Sequence, residues 1–407
     1  MTTTATTARD EQPVQTTAHA RAAQSAPRLD IDALIADKGV EIVVCCGSGG
    51  VGKTTTAAAL GLRAAEAGRR VVVLTIDPAK RLAQALGLTE LDNTPRPVDG
   101  IDTSKGGSLD AMMLDMKRTF DEVVIAHADP GKADQILENP FYQAVSSSFA
   151  GTQEYMAMEK LGQLKAKADS MPDGWDLIIV DTPPSRSALD FLDAPNRLGS
   201  FLDGRFVRLL TAPAKASGRA GLKVFGLGVQ LVSSTMSKIL GGQFLSDVQS
   251  FVSALDTMFG GFRERADLTY QLLSREGTSF LVVAAPERDA LREASFFVDR
   301  LQADGMPLSG LVVNRMGRVS AGSLTPSRAL AFAEALEDSG GPKSAANAAG
   351  LLRLHAAVVT IAQRQRELAE RFSRAHPDVP LVQVPALNRD VHDLDSLREI
   401  GNALAGP

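Results

Sequence analysis

The sequence predicts a doubly wound α/β fold whose central sheet is mostly parallel. Short apolar runs rich in β-branched residues recur along the chain, as expected for strands buried on both faces of a parallel sheet. These runs occupy residues 41–46, 70–76, 176–181, 279–285, 308–314 and 380–385. Helical patterns, such as the one over residues 292–304, lie between the runs, and this alternation is typical of sheets built from helical crossovers.

The composition is that of a soluble globular protein, and we expect it to be cytoplasmic. A chain of 407 residues can form one large α/β domain with insertions. The net charge is −5 and no long basic run occurs, so no nucleic-acid partner is expected. The two cysteines are adjacent in sequence and only five histidines are present, which argues against a disulfide framework and against a zinc site.

The first 30 residues are rich in Thr, Ala and Gln and lack the apolar core of a secretion signal. We predict a disordered tail over residues 1–30 and one folded domain over residues 31–407. The most apolar long stretch, residues 222–240, is interrupted by lysines and a glutamine. No stable membrane insertion is therefore expected.

The first predicted strand is followed by the pattern G-x-x-x-x-G-K-T, which opens a predicted helix. Glycines let backbone N–H groups converge on phosphate oxygens, and the helix N-terminus favours negative charge. Lys53 is expected to reach the β- and γ-phosphates, and the Thr54 hydroxyl to bind Mg²⁺. The alternative is a glycine-rich turn that binds no ligand. The candidate ATP- or ADP-binding residues are Gly47, Ser48, Gly49, Gly50, Val51, Gly52, Lys53, Thr54 and Thr55.

Two aspartates follow later strands at the sheet edge where ligands of such folds bind. Asp77 directly follows the second strand and could position an attacking water. Alternatively it is a helix N-cap, because a proline follows it. Asp181 ends the strand over residues 176–181 and is expected to hold Mg²⁺ directly or through water, the alternative being a strand-end cap.

Two segments interrupt the alternation of strands and helices. Residues 117–168 and 196–275 carry helical patterns and no clear strand, and we interpret them as helical insertions on one side of the sheet. Residues 339–350 are predicted to form a flexible loop. Cys45 and Cys46 are predicted to pack in the first strand rather than to act in redox chemistry. The methionines are read as core residues, with contact to a client as the alternative; they are Met112, Met113, Met116, Met156 and Met158.

The phosphate loop and the later stretches TIDPA, DTPPS, VVN and VPAL occur in this order. In this order they resemble the family of arsenical-pump ATPases and of the ATPases that target tail-anchored membrane proteins. The resemblance covers residues 40–405 and is greatest to the bacterial anion-transporter branch. It implies a phosphate-loop ATPase of the SIMIBI type with a deviant Walker A loop. In this family two α/β cores close face to face on ATP, and helical insertions form an apolar surface above them for a hydrophobic protein client.

The resemblance also implies roles for single residues. Asp77 matches the residue that activates water, and Asp181 heads the second switch, so that Thr54, Asp77 and Asp181 would surround Mg²⁺. Asn314 matches an asparagine that reads the adenine edge. Pro385 and Leu387 fall in the loop that packs on adenine. Glu293 matches a glutamate that contacts nucleotide from the partner subunit.

Three departures from the family pattern matter. Ser48 stands where the family has a lysine that crosses the dimer interface to the other subunit's phosphates. The Cys-x-x-Cys zinc clasp of the eukaryotic targeting ATPases is absent, and no cysteine after Cys46 could sense arsenite. Because Ser48 carries no charge, we expect pairing with a paralogous ATPase that keeps the lysine. The alternative is a slow homodimer.

Two further hypotheses remain open at this point. Chromosome-partitioning and cell-division-site ATPases share the deviant loop, but they lack the two helical insertions and bind DNA or membranes through basic surfaces. A degenerate partner subunit that binds nucleotide without hydrolysing it would agree with Ser48. It would disagree with the intact Lys53, Thr54, Asp77 and Asp181.

Overall fold

The computed structural model describes residues 27–77, 81–128, 130–146, 152–183, 264–339 and 342–406. In these parts an eight-stranded sheet has the order β3-β4-β2-β5-β1-β6-β7-β8. All neighbouring pairs are parallel except β3 and β4. The strands are β1 Ile42–Cys46, β2 Arg70–Thr75, β3 Arg96–Pro97, β4 Ser108–Met113, β5 Leu177–Asp181, β6 Thr278–Ala284, β7 Leu308–Met316 and β8 Leu381–Pro385.

Helices cover both faces of the sheet, which confirms the predicted doubly wound α/β architecture. They are α1 Ile31–Ala36, α2 Lys53–Glu66, α3 Arg81–Ala85, α4 Met116–His127, α5 Pro130–Leu137, α6 Pro140–Ser146, α7 Thr152–Ser170, α8 Arg288–Ala303, α9 Pro326–Asp338, α10 Lys343–Ala375 and α11 Leu394–Ala405. Alternate residues of β1 pack into two hydrophobic cores, one on each face of the sheet. Ile42 and Val44 pack with α4, α7 and α8, whereas Val43 and Cys45 pack with α1, α2 and α11.

All six predicted strands are present, and two further strands were missed. β4 alternates between buried and less buried positions because it lies next to the edge strand, so it lacks the continuous apolar run of an inner strand. β3 contains only two residues. Residues 117–168 contain helices and no strand within the described parts, as predicted. The insertion over residues 196–275 lies outside the described residues except for helical residues 264–274.

Two boundaries differ from the predictions. The prediction of a flexible loop over residues 339–350 is wrong from Lys343 onward, where α10 begins. Its alanines favour helix, which outweighs the glycine signal. Residues 27–30, assigned to the tail, belong to the fold, since Arg28 bridges to Leu381 and Leu29 is buried. The tail before residue 27 lies outside the described residues.

Helices α9 and α10 form a hairpin between β7 and β8, and α10 exposes an apolar stripe. The stripe consists of Leu351, Leu354, Val358 and Ile361, which are 38–68% exposed. By length and composition α10 could cross a membrane, with a mean hydropathy of 1.4 in its most apolar window, of which 22% is buried. One such helix is weak evidence for a span. The sequence patterns did not predict this exposed apolar surface.

Candidate active site

The topology brings the predicted site residues to one edge of the sheet. β1 lies between β5 and β6, and Cys45 is in register with Asp181. Asp181 is also in register with Thr75 on β2. Because parallel strands end at the same edge, the loop after β1, Asp77 and Asp181 meet there. Asn314, near the end of β7, reaches the same place through a hydrogen bond.

The phosphate loop needs glycine at the two motif positions, Gly47 and Gly52, and favours it at Gly50. Gly47, Gly50 and Gly52 have φ angles of 145°, 77° and 97°, a region that residues with a Cβ rarely adopt. A Cβ on Gly47 would lie 2.1 Å from the Val283 carbonyl oxygen, and one on Gly52 would lie 2.2 Å from Asn314 Nδ2. The loop is therefore pressed between β6 and β7 at distances that only glycine allows.

Lys53 folds back over the loop. Its Nζ donates to the Ser48 carbonyl oxygen at 2.9 Å, and the side chain is only 6% exposed. Burial lowers the pKa of Lys53, and the nearby Asp181 carboxylate opposes that shift. A buried ammonium with a backbone carbonyl as its acceptor is ready to exchange that acceptor for a phosphate oxygen.

Two side chains from the end of β7 hold the opposite side of the loop. Asn314 is 7% exposed, and its Nδ2 donates to the Val51 carbonyl oxygen at 2.9 Å. Arg315 Nη1 donates to the Gly50 carbonyl oxygen at 2.9 Å. In this structure Asn314 supports the phosphate loop, and the adenine contact stays a prediction. Arg315 was missed because one arginine near the end of a strand carries no sequence signal of its own.

Asp181 is the buried carboxylate of the site. Its Oδ2 accepts from Thr75 Oγ1 at 2.8 Å. Its Oδ1 is buried and has no hydrogen-bond partner among the described residues. Burial raises the pKa of Asp181 to about 6, against the lowering effect of the nearby Thr54 and Thr75 hydroxyls.

Asp77 follows β2 and is half-buried. Its charge is felt at both Lys53 and Asp181, so the three groups form one electrostatic unit. The preceding residue, Ile76, is fixed by Gln153 of α7, whose Nε2 donates to the Ile76 carbonyl oxygen at 2.9 Å. The N-cap alternative for Asp77 stays untested, because residues 78–80 lie outside the described parts.

The oxygen atoms at this edge suit Mg²⁺. The unpartnered Oδ1 of Asp181 and the Thr54 hydroxyl at the start of α2 are hard donors of the kind that Mg²⁺ prefers. No cluster of three or more His, Cys, Asp or Glu side chains occurs in the described residues. A magnesium ion bound with phosphates needs only one or two protein ligands, so this arrangement fits it.

The other predicted nucleotide-contacting residues lie at the end of β8, just after it, and on α8. Pro385 lines a cavity of about 460 Å³. Leu387 packs against the core cluster of α2, and Glu293 is half-buried in the second turn of α8. Their contacts with nucleotide stay predictions. The other cavity-lining residues are Met316, Gly317, Arg318, Val319, Ser320, Arg366 and Gln383.

Three residues of the first strand and its loop are buried and present no reactive group to solvent: Ser48, Cys45 and Cys46. Ser48 is 9% exposed and its Oγ is buried without a hydrogen-bond partner in the described parts. Both cysteines are buried and free. Burial raises the pKa of the Cys45 thiol and brings that of Cys46 to about 12, which makes them inert packing residues, as the sequence predicted. Met112, Met156 and Met158 are core residues as well.

Comparisons with known proteins agree with this site. The profile of a family described as anion-transporting ATPase matches residues 40–320. "ATPase GET3" of Ajellomyces dermatitidis is 26% identical over 288 residues, which is 70% of this chain and 75% of that protein. The same values hold for "ATPase GET3" of Blastomyces gilchristii. "ATPase ASNA1 homolog 1" of Paramecium tetraurelia is 25% identical over 274 residues, 66% of this chain and 73% of that protein.

The raised pKa of Asp181 predicts how the stability of the protein free of nucleotide and Mg²⁺ depends on pH. Below about pH 4 the carboxyl is protonated in both the folded and the unfolded chain. As pH rises toward 6, the unfolded chain ionises first and the folded state loses relative stability. The free energy of unfolding of Asp181→Asn, relative to wild type, should therefore rise by roughly 2 kcal/mol between pH 4.5 and 7.5. Urea unfolding at both pH values measures this, and parallel pH profiles would contradict it.

Proposed function

Since this chain belongs to the family of anion-transporting ATPases and is itself an ATPase, we propose that it works as a Mg²⁺-dependent, two-chain switch. ATP binding and hydrolysis would open and close an apolar surface for a protein client. The catalytic part of this proposal rests on one observation. Lys53 and Asp181 are both buried beside the phosphate loop, and one Asp181 oxygen has no hydrogen-bond partner among the described residues. Lys53 suits the phosphates of ATP, and the Asp181 carboxylate suits the Mg²⁺ that accompanies them.

Each residue of the site has a step in the proposed reaction. Lys53 would release the Ser48 carbonyl oxygen and neutralise charge on the β- and γ-phosphates. Asp77 would orient the attacking water in line with the leaving oxygen. Asp181 and Thr54 would hold Mg²⁺, which when bound offsets the charge that develops on the transferred phosphoryl group. Loop N–H groups would orient the phosphates at the N-terminus of α2.

The pairing with a second, paralogous ATPase is proposed from Ser48. A serine hydroxyl brings no positive charge, and Ser48 is buried in its own chain. Two identical chains would leave both γ-phosphates without the cation that the family's lysine lends across the interface. A partner that keeps the lysine would supply it to the ATP bound here, whereas a homodimer would be slow.

The stripe on α10 is the described surface that we propose for contact with a second chain of this fold. Its residues are spaced by three, four and three positions, as in the seam of a coiled coil. Gly350 and Ala357 beside it are small and exposed, so a second helix can approach closely. Exposed Glu334 on α9 disfavours an anionic lipid surface, and the neighbouring Arg353 of α10 is paired with Glu337 at 2.6 Å. Burying the stripe would remove on the order of 300 Å² per chain, part of the roughly 800 Å² that a specific interface buries.

The client surface is proposed from the family resemblance alone. The insertion over residues 196–275 expected to carry it lies almost wholly outside the described residues. The partitioning and division-site alternative is less favoured, because the matching family profile describes anion-transporting ATPases and the matched relatives are named ATPase GET3 and ATPase ASNA1 homolog 1. The degenerate-subunit alternative is less favoured because the phosphate-loop lysine and both aspartates are intact.

The catalytic assignment predicts a split between binding and turnover. Asp77→Asn should still bind ATP but lose about 100-fold or more in kcat, because the carboxylate that orients water is lost. Lys53→Ala should lose binding and turnover together. Phosphate release and equilibrium ATP binding measure the two effects. Asp173→Asn, at a 96% exposed side chain away from the site, is the control, and wild-type turnover by Asp77→Asn would sink the assignment.

The pairing hypothesis predicts a gain of activity. Ser48→Lys in the isolated chain should raise kcat by about 10³-fold or more, because each copy would then lend a cation to its neighbour. Ser48→Ala is the control, since it removes the unpartnered hydroxyl and adds no charge. If the wild-type chain alone already hydrolyses ATP rapidly and the lysine adds nothing, the paralogous partner is not needed.

The proposed role of the stripe predicts that a charge placed in it lowers the mass of the assembly in solution. Leu354→Glu would bury a charge in the seam, so the purified chain with bound ATP should shift from dimer to monomer in light scattering. Gln363→Glu, at an exposed position on the opposite side of α10, adds the same charge and should leave the dimer intact. A wild-type chain that stays monomeric with ATP, or a dimer unchanged by Leu354→Glu, would overturn this part.

A further inference from the structure

The end of β7 fixes two successive carbonyl groups of the phosphate loop. Asn314 Nδ2 donates to the Val51 carbonyl oxygen, and Arg315 Nη1 donates to the Gly50 carbonyl oxygen, both at 2.9 Å. On the other side of the loop Lys53 binds the Ser48 carbonyl oxygen. Three loop carbonyls are therefore held by side chains.

Holding a carbonyl also sets the direction of an N–H group. In a trans peptide the C=O of one residue and the N–H of the next point in opposite directions. The Gly50 carbonyl points toward Arg315, so the Val51 N–H points away from Arg315. Successive N–H groups that face one concavity are what binds a phosphate in loops of this kind. Arg315 thus fixes the orientation of one N–H group of the phosphate loop.

The backbone of Arg315 is in an unusual conformation for its residue type. Its φ is 65°, and it is the one non-glycine residue with a positive φ in the part of the chain that the structure describes. Its N–H donates to Asn314 Oδ1 at 3.0 Å, which holds the turn. The Arg315 side chain is exposed, and the register of β7 against β8 shifts between Val313 and Met316, so the positive φ belongs to a β-bulge, a feature over-represented next to active sites. Strained residues of this kind concentrate at functional sites.

We propose that Arg315 is a positioning residue for ATP. It holds the Gly50–Val51 peptide with its N–H toward the phosphates, and it adds a positive charge in cis to a loop whose second position is the uncharged Ser48. This inference rests on the proposed function, because it concerns how the same site binds ATP. It adds a residue that neither the phosphate-loop motif nor the family resemblance supplied.

Glycine at position 315 separates the side chain from the backbone strain. Arg315→Gly keeps a backbone that adopts φ of 65° freely and removes the guanidinium. We expect the purified full chain to bind ATP about 10-fold more weakly, because a charge-assisted hydrogen bond to the loop is lost. The midpoint of thermal unfolding should fall by no more than about 2 °C. Adenosine, which has no phosphate, should bind equally well to both proteins.

A conservative variant and a surface control complete the experiment. Arg315→Lys keeps the charge and should recover part of the ATP affinity. Arg275→Ala removes a surface arginine that pairs with Glu41 at 3.0 Å and should leave ATP affinity unchanged. ATP affinity of Arg315→Gly within twofold of wild type would overturn the inference, and so would a loss matched for adenosine or joined to a large fall in unfolding temperature. If the wild-type chain bound no ATP, the proposed function itself would fail.

Discussion

The orientation of the peptide groups in the phosphate loop is the constraint on which the rest of the site depends. An anion can bind there only if successive N–H groups face inward, and this requires their carbonyls to face outward. Asn314 and Arg315 bind two of those carbonyls, of Val51 and Gly50, from the end of β7. Position 52 must therefore be glycine, because the Asn314 side chain lies too close to leave room for a Cβ. Loop, β7 and α2 therefore form one preorganised unit.

Electrostatics complete that unit. Lys53 and Asp181 are both buried, and burial lowers the pKa of the lysine and raises that of the aspartate. Their mutual attraction offsets part of this cost, but one carboxylate oxygen keeps no hydrogen-bond partner within the described residues. Both charges are buried, and burying a charge is costly unless it is paired. A ligand that brings both phosphate and a divalent cation would pair each of them.

The proposals for hydrolysis and for pairing concern different parts of the chain. The proposed catalytic groups lie at the carboxyl edge of the parallel sheet, whereas the apolar stripe lies on α10, in a hairpin between β7 and β8. β7 is the element that both parts share, since it carries Asn314 near its end and leads into the hairpin.

The sequence by itself determined the inner strands, the phosphate loop and both aspartates, because each depends on local pattern: continuous β-branched runs, glycine spacing, and a carboxylate at a strand end. Only the tertiary structure decided the rest. β4 was hidden because its half-exposed position near the sheet edge breaks the apolar run. Helix α10 extends into a predicted loop, and its stripe is apolar yet exposed. Arg315 acts through a carbonyl 265 positions away in the chain, and no local pattern encodes a contact that the sheet order alone brings about.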